Sequence, residues 1–283
     1  MPLRIDKYMS SPVVSVYPHD SVAHIRNLML RHKISRVVVI DSSNKPIGIV
    51  SKSDIIRFFL DRRKAKRPLE EVSAREVMSS PVITVPPETT VKQAADMFLK
   101  RNISSLPVYS PEKGLIGIIT ATDLLKAFSD HGRNKARVKD YMRRDYLTAK
   151  RSHSIFRIID LISRDPDGKV IIVEDDKAVG IITEIDIAFV EPRTDWVSGS
   201  YVKKRRYSIS KDMIARVRDY IVPTAEDIMT PDPITINENE DLGIASDLMY
   251  RNRIGCLPAV DSNNVLKGLV TKRSILRAIL DIL

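Results

Sequence analysis

The sequence predicts an α/β protein built from four β-α-β-β-α repeats. A seven-residue motif occurs four times, as GIVSKSD (48–54), GIITATD (117–123), GIITEID (180–186) and GLVTKRS (268–274). A methionine-centred segment precedes each copy, at Met9, Met78, Met142 and Met229. The separations from methionine to motif glycine are 39, 39, 38 and 39 residues. Such constant spacing indicates an internal structural repeat.

Each repeat is predicted to contain the same five elements in the same order. The first is a short strand, predicted at 13–16, 82–85, 146–149 and 234–236. An amphipathic helix follows, because apolar residues recur at steps of three and four, as in Val22, Ile25, Leu28 and Met29. A β-branched strand such as "RVVVID", a polar turn and the glycine-led strand form a hairpin, and a second helix ends the unit. One unit leaves a sheet face uncovered, so we expect the units to pack in pairs.

The repeat positions also predict the domain boundaries, which are 1–64, 72–130, 136–190 and 223–283. The segment 191–222 is predicted to be an insertion that joins or braces the third and fourth repeats, and it holds the only Trp and a basic run. The polar stretch "DRRKAKRPLEE" is the predicted linker between the first and second repeats.

Composition limits the class of protein. An apolar fraction of 43% in 283 residues predicts a packed core. No apolar run reaches the roughly 18 residues of a membrane span, and the N-terminus lacks the apolar stretch of a signal peptide. Cys256 is alone, which argues against a disulfide framework and a thiolate metal site. We therefore expect a cytoplasmic protein with no membrane partner and no metal.

The net charge of +10 favours an anionic partner, such as a nucleotide, a nucleic acid or an acidic protein surface. Nucleic acid is the minor alternative. Basic runs at 62–67 and 203–207 support it, but helix-turn-helix, zinc-finger and interleaved aromatic patterns are missing. The five His residues are scattered, and no Walker A loop, HExxH motif or nucleophile elbow is present. The sequence therefore predicts a protein without enzymatic activity.

The repeated motif has two interpretations. A Ser or Thr followed three residues later by an acid is typical of a capping box, which only starts a helix. The same geometry also suits a nucleotide. A helix N-terminus and a hydroxyl attract phosphate, while a carboxylate one turn further accepts hydrogen bonds from a ribose diol. The motif by itself leaves both interpretations open.

Four units in register, with "h-M-[ST]-x-x" openings and "G-h-h-[ST]-x-x-D" closings, resemble cystathionine-β-synthase (CBS) domains over nearly the whole chain. The resemblance implies that two units pair into a Bateman module with pseudo-two-fold symmetry, and that two modules assemble into a disc. It also implies clefts that bind adenosine-containing ligands. A chain with four units is similar to the gamma subunit of AMP-activated protein kinase, which senses AMP, ADP and ATP.

The resemblance implies a role for each matched residue. The expected ribose-binding carboxylates are Asp54, Asp123 and Asp186. The expected phosphate-binding residues are Ser51, Ser53, Thr120, Thr122, Thr183, Arg36, Lys169, Thr271, Lys272 and Arg273. The residues expected to line an adenine pocket are Val14, Ser15, Ile83, Thr84, Leu147, Thr148, Ile234 and Thr235.

The fourth motif departs from the pattern, because Ser274 offers no carboxylate to a ribose. A similar departure occurs in the kinase gamma subunit, where the basic residues reach phosphates in neighbouring clefts. We therefore expect Lys272 and Arg273 to serve a neighbouring site. The implied function is a regulatory sensor of AMP, ADP or ATP that requires no cofactor, with a homodimer or a regulated protein as its expected partner. A sensor of S-adenosylmethionine-type ligands is the alternative.

Overall fold

A computed structural model describes residues 2–60, 67–189, 203–204, 218–219 and 222–283. Most of the predicted insertion 191–222, including the Trp, lies outside the described residues. Most of the two basic runs lies outside them as well, so the nucleic-acid alternative that depends on these runs stays a prediction.

The first two repeats begin with short 3-10 helices at Ile5–Lys7 and Leu69–Glu71. The elements of the first repeat are β1 (Ser15–Val16), α1 (Val22–Arg31), β2 (Arg36–Ile40), β3 (Pro46–Ser51) and α2 (Lys52–Leu60). Those of the second are α3 (Ala74–Val77), α4 (Val91–Arg101), β4 (Ser105–Ser110), β5 (Gly114–Thr120) and α5 (Ala121–His131).

The third repeat contains α6 (Val138–Tyr141), β6 (Thr148–Ala149), α7 (Ile155–Arg164), β7 (Lys169–Glu174), β8 (Lys177–Thr183) and α8 (Glu184–Phe189). Two short paired strands follow it, β9 (Lys203–Lys204) and β10 (Arg218–Asp219). The fourth repeat contains α9 (Ala225–Ile228), β11 (Thr230–Pro231), β12 (Ile236–Asn237), α10 (Leu242–Arg251), β13 (Cys256–Val260), β14 (Leu266–Thr271) and α11 (Lys272–Ile282). The predicted α/β class with four repeated units is confirmed.

In every repeat the two long strands form a hairpin, and in three repeats the opening strand pairs with it in parallel. The second repeat differs from the prediction. Residues 82–85 form only an isolated bridge between Val85 and Val108. Pro107 of strand β4 lacks the backbone N–H that its counterparts Val38 and Ile171 donate to the opening strand in the first and third repeats.

Side-chain caps start the long helices that follow the opening segments. In each case an oxygen of the N-cap side chain accepts a hydrogen bond from the backbone N–H of the third helical residue, which satisfies one of the unpaired N–H groups of the first turn. The four N-cap residues are Ser21, Thr90, Ser154 and Asp241.

The chain divides into two compact units. Unit 1 comprises residues 1–142, 239–256 and 270–283, and unit 2 comprises 143–238 and 257–269. The core of unit 1 around the first repeat includes Ile25, Val37, Val39, Val50 and Phe58. In the same unit, α10 packs on α5, and α11 packs on α4 and α5. The core of unit 2 is formed by aliphatic side chains that include Ile158, Val170, Ile172 and Ile182.

The repeated methionine and glycine contact each other across paired repeats. A Cβ added to Gly48 would lie 2.4 Å from Sδ of Met78, and one added to Gly117 would lie 2.4 Å from Sδ of Met9. Inside unit 2, a Cβ on Gly180 would lie 2.4 Å from Sδ of Met229. The first repeat therefore packs on the second through two reciprocal contacts, and the third packs on the fourth through the contact of Gly180 with Met229. These contacts confirm the predicted pairing and explain why the first three copies of the motif begin with glycine.

None of the helices within the described ranges is long and apolar enough to cross a lipid bilayer.

The Met–Gly contact predicts that Gly48→Ala destabilises the protein by about 1–3 kcal/mol, because the added methyl group overpacks the contact. Met78→Ala removes the opposing sulfur, so Gly48→Ala should cost less than about 1 kcal/mol in that background. Urea denaturation of the two single variants and the double variant measures this coupling. An equal cost of Gly48→Ala in both backgrounds would contradict the assignment.

Candidate functional site

The three Asp-bearing motifs form the predicted capping geometry. In the second copy, the backbone N–H and the hydroxyl of Thr120 donate to Oδ2 of Asp123 at 2.8 and 2.7 Å. The corresponding distances from Thr183 to Asp186 are both 2.7 Å. In the first copy the backbone N–H of Ser51 donates to Asp54 at 2.8 Å, and its hydroxyl donates to the same oxygen. The motif therefore starts α2, α5 and α8.

The capping bonds use only one oxygen of each carboxylate. Oδ1 of Asp54 accepts a hydrogen bond from the hydroxyl of Ser79 at 3.3 Å and lies 3.5 Å from a guanidinium nitrogen of Arg57. Oδ1 of Asp123 and of Asp186 receives no hydrogen bond from a residue within the described ranges. Helix capping and a further polar contact are thus compatible at the same side chain.

A cleft of about 290 Å³ in unit 1 contains Asp54. Its polar side is formed by Arg36, Ser51, Asp54, Arg57 and Ser79. The first and second repeats both contribute, because the backbone of Ser79 pairs with Ile49 on strand β3, close to the first motif. This bridge lies one residue beyond each partner of the Met–Gly contact.

The other side of the cleft is apolar. It includes Ile49 from the first repeat and Pro81, Val82, Ile83 and Ile103 from the second. Ile83 remains 37% exposed, so the cleft presents an apolar surface that no neighbouring residue covers completely. A small ligand with one flat apolar end and one charged end matches this division of the lining.

Arg36 is the half-buried cation of this cleft. One guanidinium nitrogen donates to the carbonyl oxygen of Ser104 at 2.6 Å. Burial lowers the pKa of Arg36 from its ordinary value, and the charges of Asp123 and Asp54 oppose that change. A guanidinium keeps its proton in proteins, so Arg36 is a fixed positive charge that acts on both carboxylates.

The environment of Asp123 disfavours the charged form of its carboxylate. Its pKa is raised from the ordinary value, chiefly because burial removes the carboxylate from water. The hydrogen bonds from Thr120 and the positive charges of Arg36 and Lys272 act in the opposite direction but do not outweigh burial.

The fourth motif keeps the cap without the carboxylate. The backbone N–H of Thr271 donates to the hydroxyl of Ser274 at 3.2 Å, and both side chains are buried. Its basic residues extend to the second repeat. Nζ of Lys272 donates to the hydroxyl of Thr122 at 2.7 Å, and Arg273 donates to Oδ1 of Asn102 at 2.8 Å. Asn102 lines the Asp54 cleft, so the fourth motif contacts a wall of that cleft.

The structure brings some of the predicted residues together and leaves others apart. Arg36, Ser51, Asp54 and Ile83 line one cleft. Lys169 pairs with Thr183 as Arg36 pairs with Ser51, but its ammonium donates to the carbonyl oxygen of Asp167 at 2.8 Å. Two residues expected to line adenine pockets, Val14 and Leu147, pack against the hydrophobic cores of their units. The remaining predicted residues are exposed or half-buried: Ser15, Ser53, Thr84, Thr148, Ile234 and Thr235.

Several lining residues were not predicted from the sequence, namely Ser79, Ile103, Asn102 and Arg57. Two of them had a detectable signal. Ser79 follows the repeat methionine, and Ile103 occupies a position that is also Ile in the first and fourth repeats. The contributions of Asn102 and Arg57 depend on tertiary packing alone.

The family profile of the CBS domain matches residues 5–61, 74–130, 138–192 and 225–281. Protein MJ1225 of Methanocaldococcus jannaschii is 28% identical to this chain over 276 residues, which are 94% of either protein. Its crystal structure covers 97% of this chain and 99% of its own, with a TM-score of 0.73 and 27% identity. That protein is described as a candidate archaeal homologue of γ-AMPK.

Two further relatives show how far the similarity extends. A conserved protein of Pyrococcus horikoshii matches 98% of this chain and all of its own, with a TM-score of 0.65 and 16% identity, so it shares the fold. The inosine-5'-monophosphate dehydrogenase of Korarchaeum cryptofilum is 33% identical over 121 residues, which are 43% of this chain and only 23% of that enzyme. The chain thus belongs to the CBS domain family, and its four domains are similar over nearly their whole length to those of MJ1225.

Proposed function

We propose that the protein binds an adenosine nucleotide (AMP, ADP or ATP) in the Asp54 cleft and acts as a regulatory sensor. The observation that carries this proposal is the composition of the cleft, in which a capping carboxylate, a half-buried guanidinium and an apolar wall share one volume of about 290 Å³. The volumes of small-molecule sites in proteins begin at about 300 Å³, so the volume of this cleft suits a ligand as small as a nucleoside monophosphate.

The carboxylate of Asp54 is the proposed ribose contact. Its Oδ2 is occupied by the cap, while among the described residues Oδ1 accepts the long hydrogen bond from Ser79 and is contacted by exposed Arg57. A vicinal diol is able to donate to this oxygen, as the ribose of nucleotides does to acidic residues in other folds.

The proposed phosphate contacts are Arg36 and the N-terminus of α2, with the hydroxyl of Ser51 beside them. A guanidinium binds phosphate through charge-assisted hydrogen bonds, and the free N–H groups of a helix start add to the attraction. Lys272 and Arg273 add positive charge on the side of the second repeat. The number of phosphates is therefore the property that this region is best suited to distinguish.

The adenine ring is proposed to lie on the apolar wall between Ile83 and Ile103. A flat aromatic base buries apolar area there without needing a charged partner. The same wall would accept the adenine of S-adenosylmethionine, but its sulfonium would face the Arg36 cation. The charge of the cleft therefore favours a phosphorylated ligand.

Signalling requires no chemical step and no cofactor in this proposal. A ligand that binds one arrangement of the protein more tightly than another shifts the population toward the first, by no more than its difference in affinity. Because Arg36 acts on both Asp54 and Asp123, ligand charge in the cleft changes the electrostatic balance in both paired repeats.

Asp54→Ala should weaken AMP binding by about 10–100-fold, because a charged hydrogen-bond acceptor for the ribose is lost. It should also lower stability by about 1 kcal/mol, since the helix loses a cap. Asp227→Ala is the matched control, because Thr224 and Asp227 form the same capping box at 2.8 and 2.9 Å outside the cleft lining. Calorimetric titration and thermal melts separate the two effects. Equal AMP affinity in both variants would reduce Asp54 to a capping residue.

A titration of the wild-type protein with AMP, ADP, ATP and S-adenosylmethionine identifies the ligand class. We expect the phosphorylated ligands to bind more tightly than S-adenosylmethionine, and we expect Asp123→Ala and Asp186→Ala to show whether their sites are occupied. The proposal fails if the wild-type protein binds no adenosine ligand.

Combined Lys272→Ala and Arg273→Ala substitutions should weaken ATP binding by about tenfold or more and AMP binding by less, because each added phosphate increases the charge to be neutralised. Arg277→Ala, on the exposed side of the same helix, is the control for loss of positive charge. An unchanged affinity for all three nucleotides in the double variant would show that the fourth motif serves no neighbouring phosphate.

Asp123→Asn should stabilise the protein relative to the wild type as the pH rises. Because burial raises the folded-state pKa of Asp123 above its unfolded value, ionisation of this carboxylate opposes folding as the pH rises through that range. The melting temperature of the Asp123→Asn variant should therefore increase relative to that of the wild type as the pH is raised from about 4 to about 7. A relative decrease over the same range would contradict the burial argument.

A further inference from the structure

A second polar cluster lies in unit 2, outside the Asp54 cleft. The Arg143 guanidinium donates to Oδ2 of Asp165, and to Oδ2 of Asp167 at 3.2 Å. Its Nε lies 3.3 Å from Oδ1 of Asp145. The side chain of Arg143 is 11% exposed, and those of Asp165 and Asp167 are 0% and 8% exposed. We call these four residues the Arg143 network.

Three members of the network have equivalents in the second repeat that line the Asp54 cleft. Each repeat is aligned by counting forward from its methionine or back from its second strand. The equivalent pairs are Arg143 with Ser79, Asp145 with Pro81, and Asp167 with Ile103. Ser79, Pro81 and Ile103 all line the Asp54 cleft. The third repeat thus has an ion network at positions where the second repeat has a hydroxyl and two apolar residues.

The backbone confirms this equivalence. Arg143 bridges Leu269 on β14, with N–H to oxygen distances of 2.9 Å in both directions. Ser79 bridges Ile49 on β3 in the same way. Leu269 and Ile49 each lie two residues before the hydroxyl residue of their motif. The Arg143 network therefore lies beside the strand that leads into the fourth motif, the copy without an Asp.

We propose that the Arg143 network takes the place of a ligand, filling the cleft that the third repeat would otherwise line and holding the opening segment of that repeat to its α7–β7 turn without a nucleotide. Asp167 removes the apolar wall that an adenine needs, and the guanidinium is already neutralised by protein carboxylates. With three carboxylates around one guanidinium, the network also repels phosphate. The part of this inference that concerns nucleotides rests on the proposed function.

The test compares melting temperature and nucleotide titration in four proteins. These are the wild type, Arg143→Ala, the triple variant R143S/D165N/D167I, and Arg144→Ala as an exposed neighbouring control. The triple variant restores the Ser and Ile of the second repeat and the Asn that the fourth repeat has in place of Asp165. The Asn side chain still offers an oxygen to the backbone N–H groups of Asp167 and Lys169, which donate to Asp165 at 3.0 Å.

Arg143→Ala should lower the melting temperature by about 6–12 °C, because two buried carboxylates lose their partner. The number of AMP and ATP molecules bound per chain should not change, and their affinities should stay within about twofold, the scatter of a neutral substitution. If Arg143→Ala does not fold, the triple variant supplies the binding data, since it removes the charges together. Arg144→Ala should match the wild type in both measurements.

Two results would overturn the inference. The loss of one bound nucleotide, or an affinity weakened tenfold, would make Arg143 a phosphate ligand. A melting temperature of Arg143→Ala equal to that of Arg144→Ala would show that the network does not stabilise unit 2. If the wild type binds no nucleotide, the proposed function fails, and the melting temperatures alone decide whether the network stabilises the unit.

Discussion

The contact between the methionine of one repeat and the glycine of its partner is the constraint on which the paired architecture depends. Met78 on Gly48 and Met9 on Gly117 form it twice in one pair, and each contact is followed by a backbone bridge. The bridge next to Gly48 brings Ser79 to within hydrogen-bonding distance of Asp54. The cleft thus exists only because two repeats are joined at this point. A change at the glycine would alter the site as well as the core.

The acidic residue of the motif that follows the glycine is able to cap a helix and contact a ligand at the same time. One oxygen of the carboxylate caps the helix, and the other faces the cleft or remains without a hydrogen-bond donor among the described residues. Burial of Asp123 as a carboxylate opposes folding, which is a cost typical of binding sites rather than of caps alone. The exposed capping box at Thr224 and Asp227 shows what the same geometry looks like without a cleft.

Much of the fold followed from the sequence, because each repeat carries its own hydrophobic period and turn residues, and four copies reinforce one another. The second opening strand was predicted wrongly, since Pro107 on the neighbouring strand has no backbone N–H to pair with it. Arg36, Ser51, Asp54 and Ile83 were predicted as site residues and share one cleft. Asn102 and Arg57 could not be predicted, because their positions depend on packing between repeats. The ion network of Arg143 was also hidden, since each of its members looks like an ordinary surface charge in the sequence.

A crystal structure of the protein with AMP is the decisive test of the Asp54 cleft as a nucleotide site. We expect electron density for AMP in this cleft, with the ribose hydroxyls at Oδ1 of Asp54, the phosphate at Arg36 and the base against Ile83. Density for AMP at another place, with the Asp54 cleft containing only solvent, would show that the cleft is not the nucleotide site.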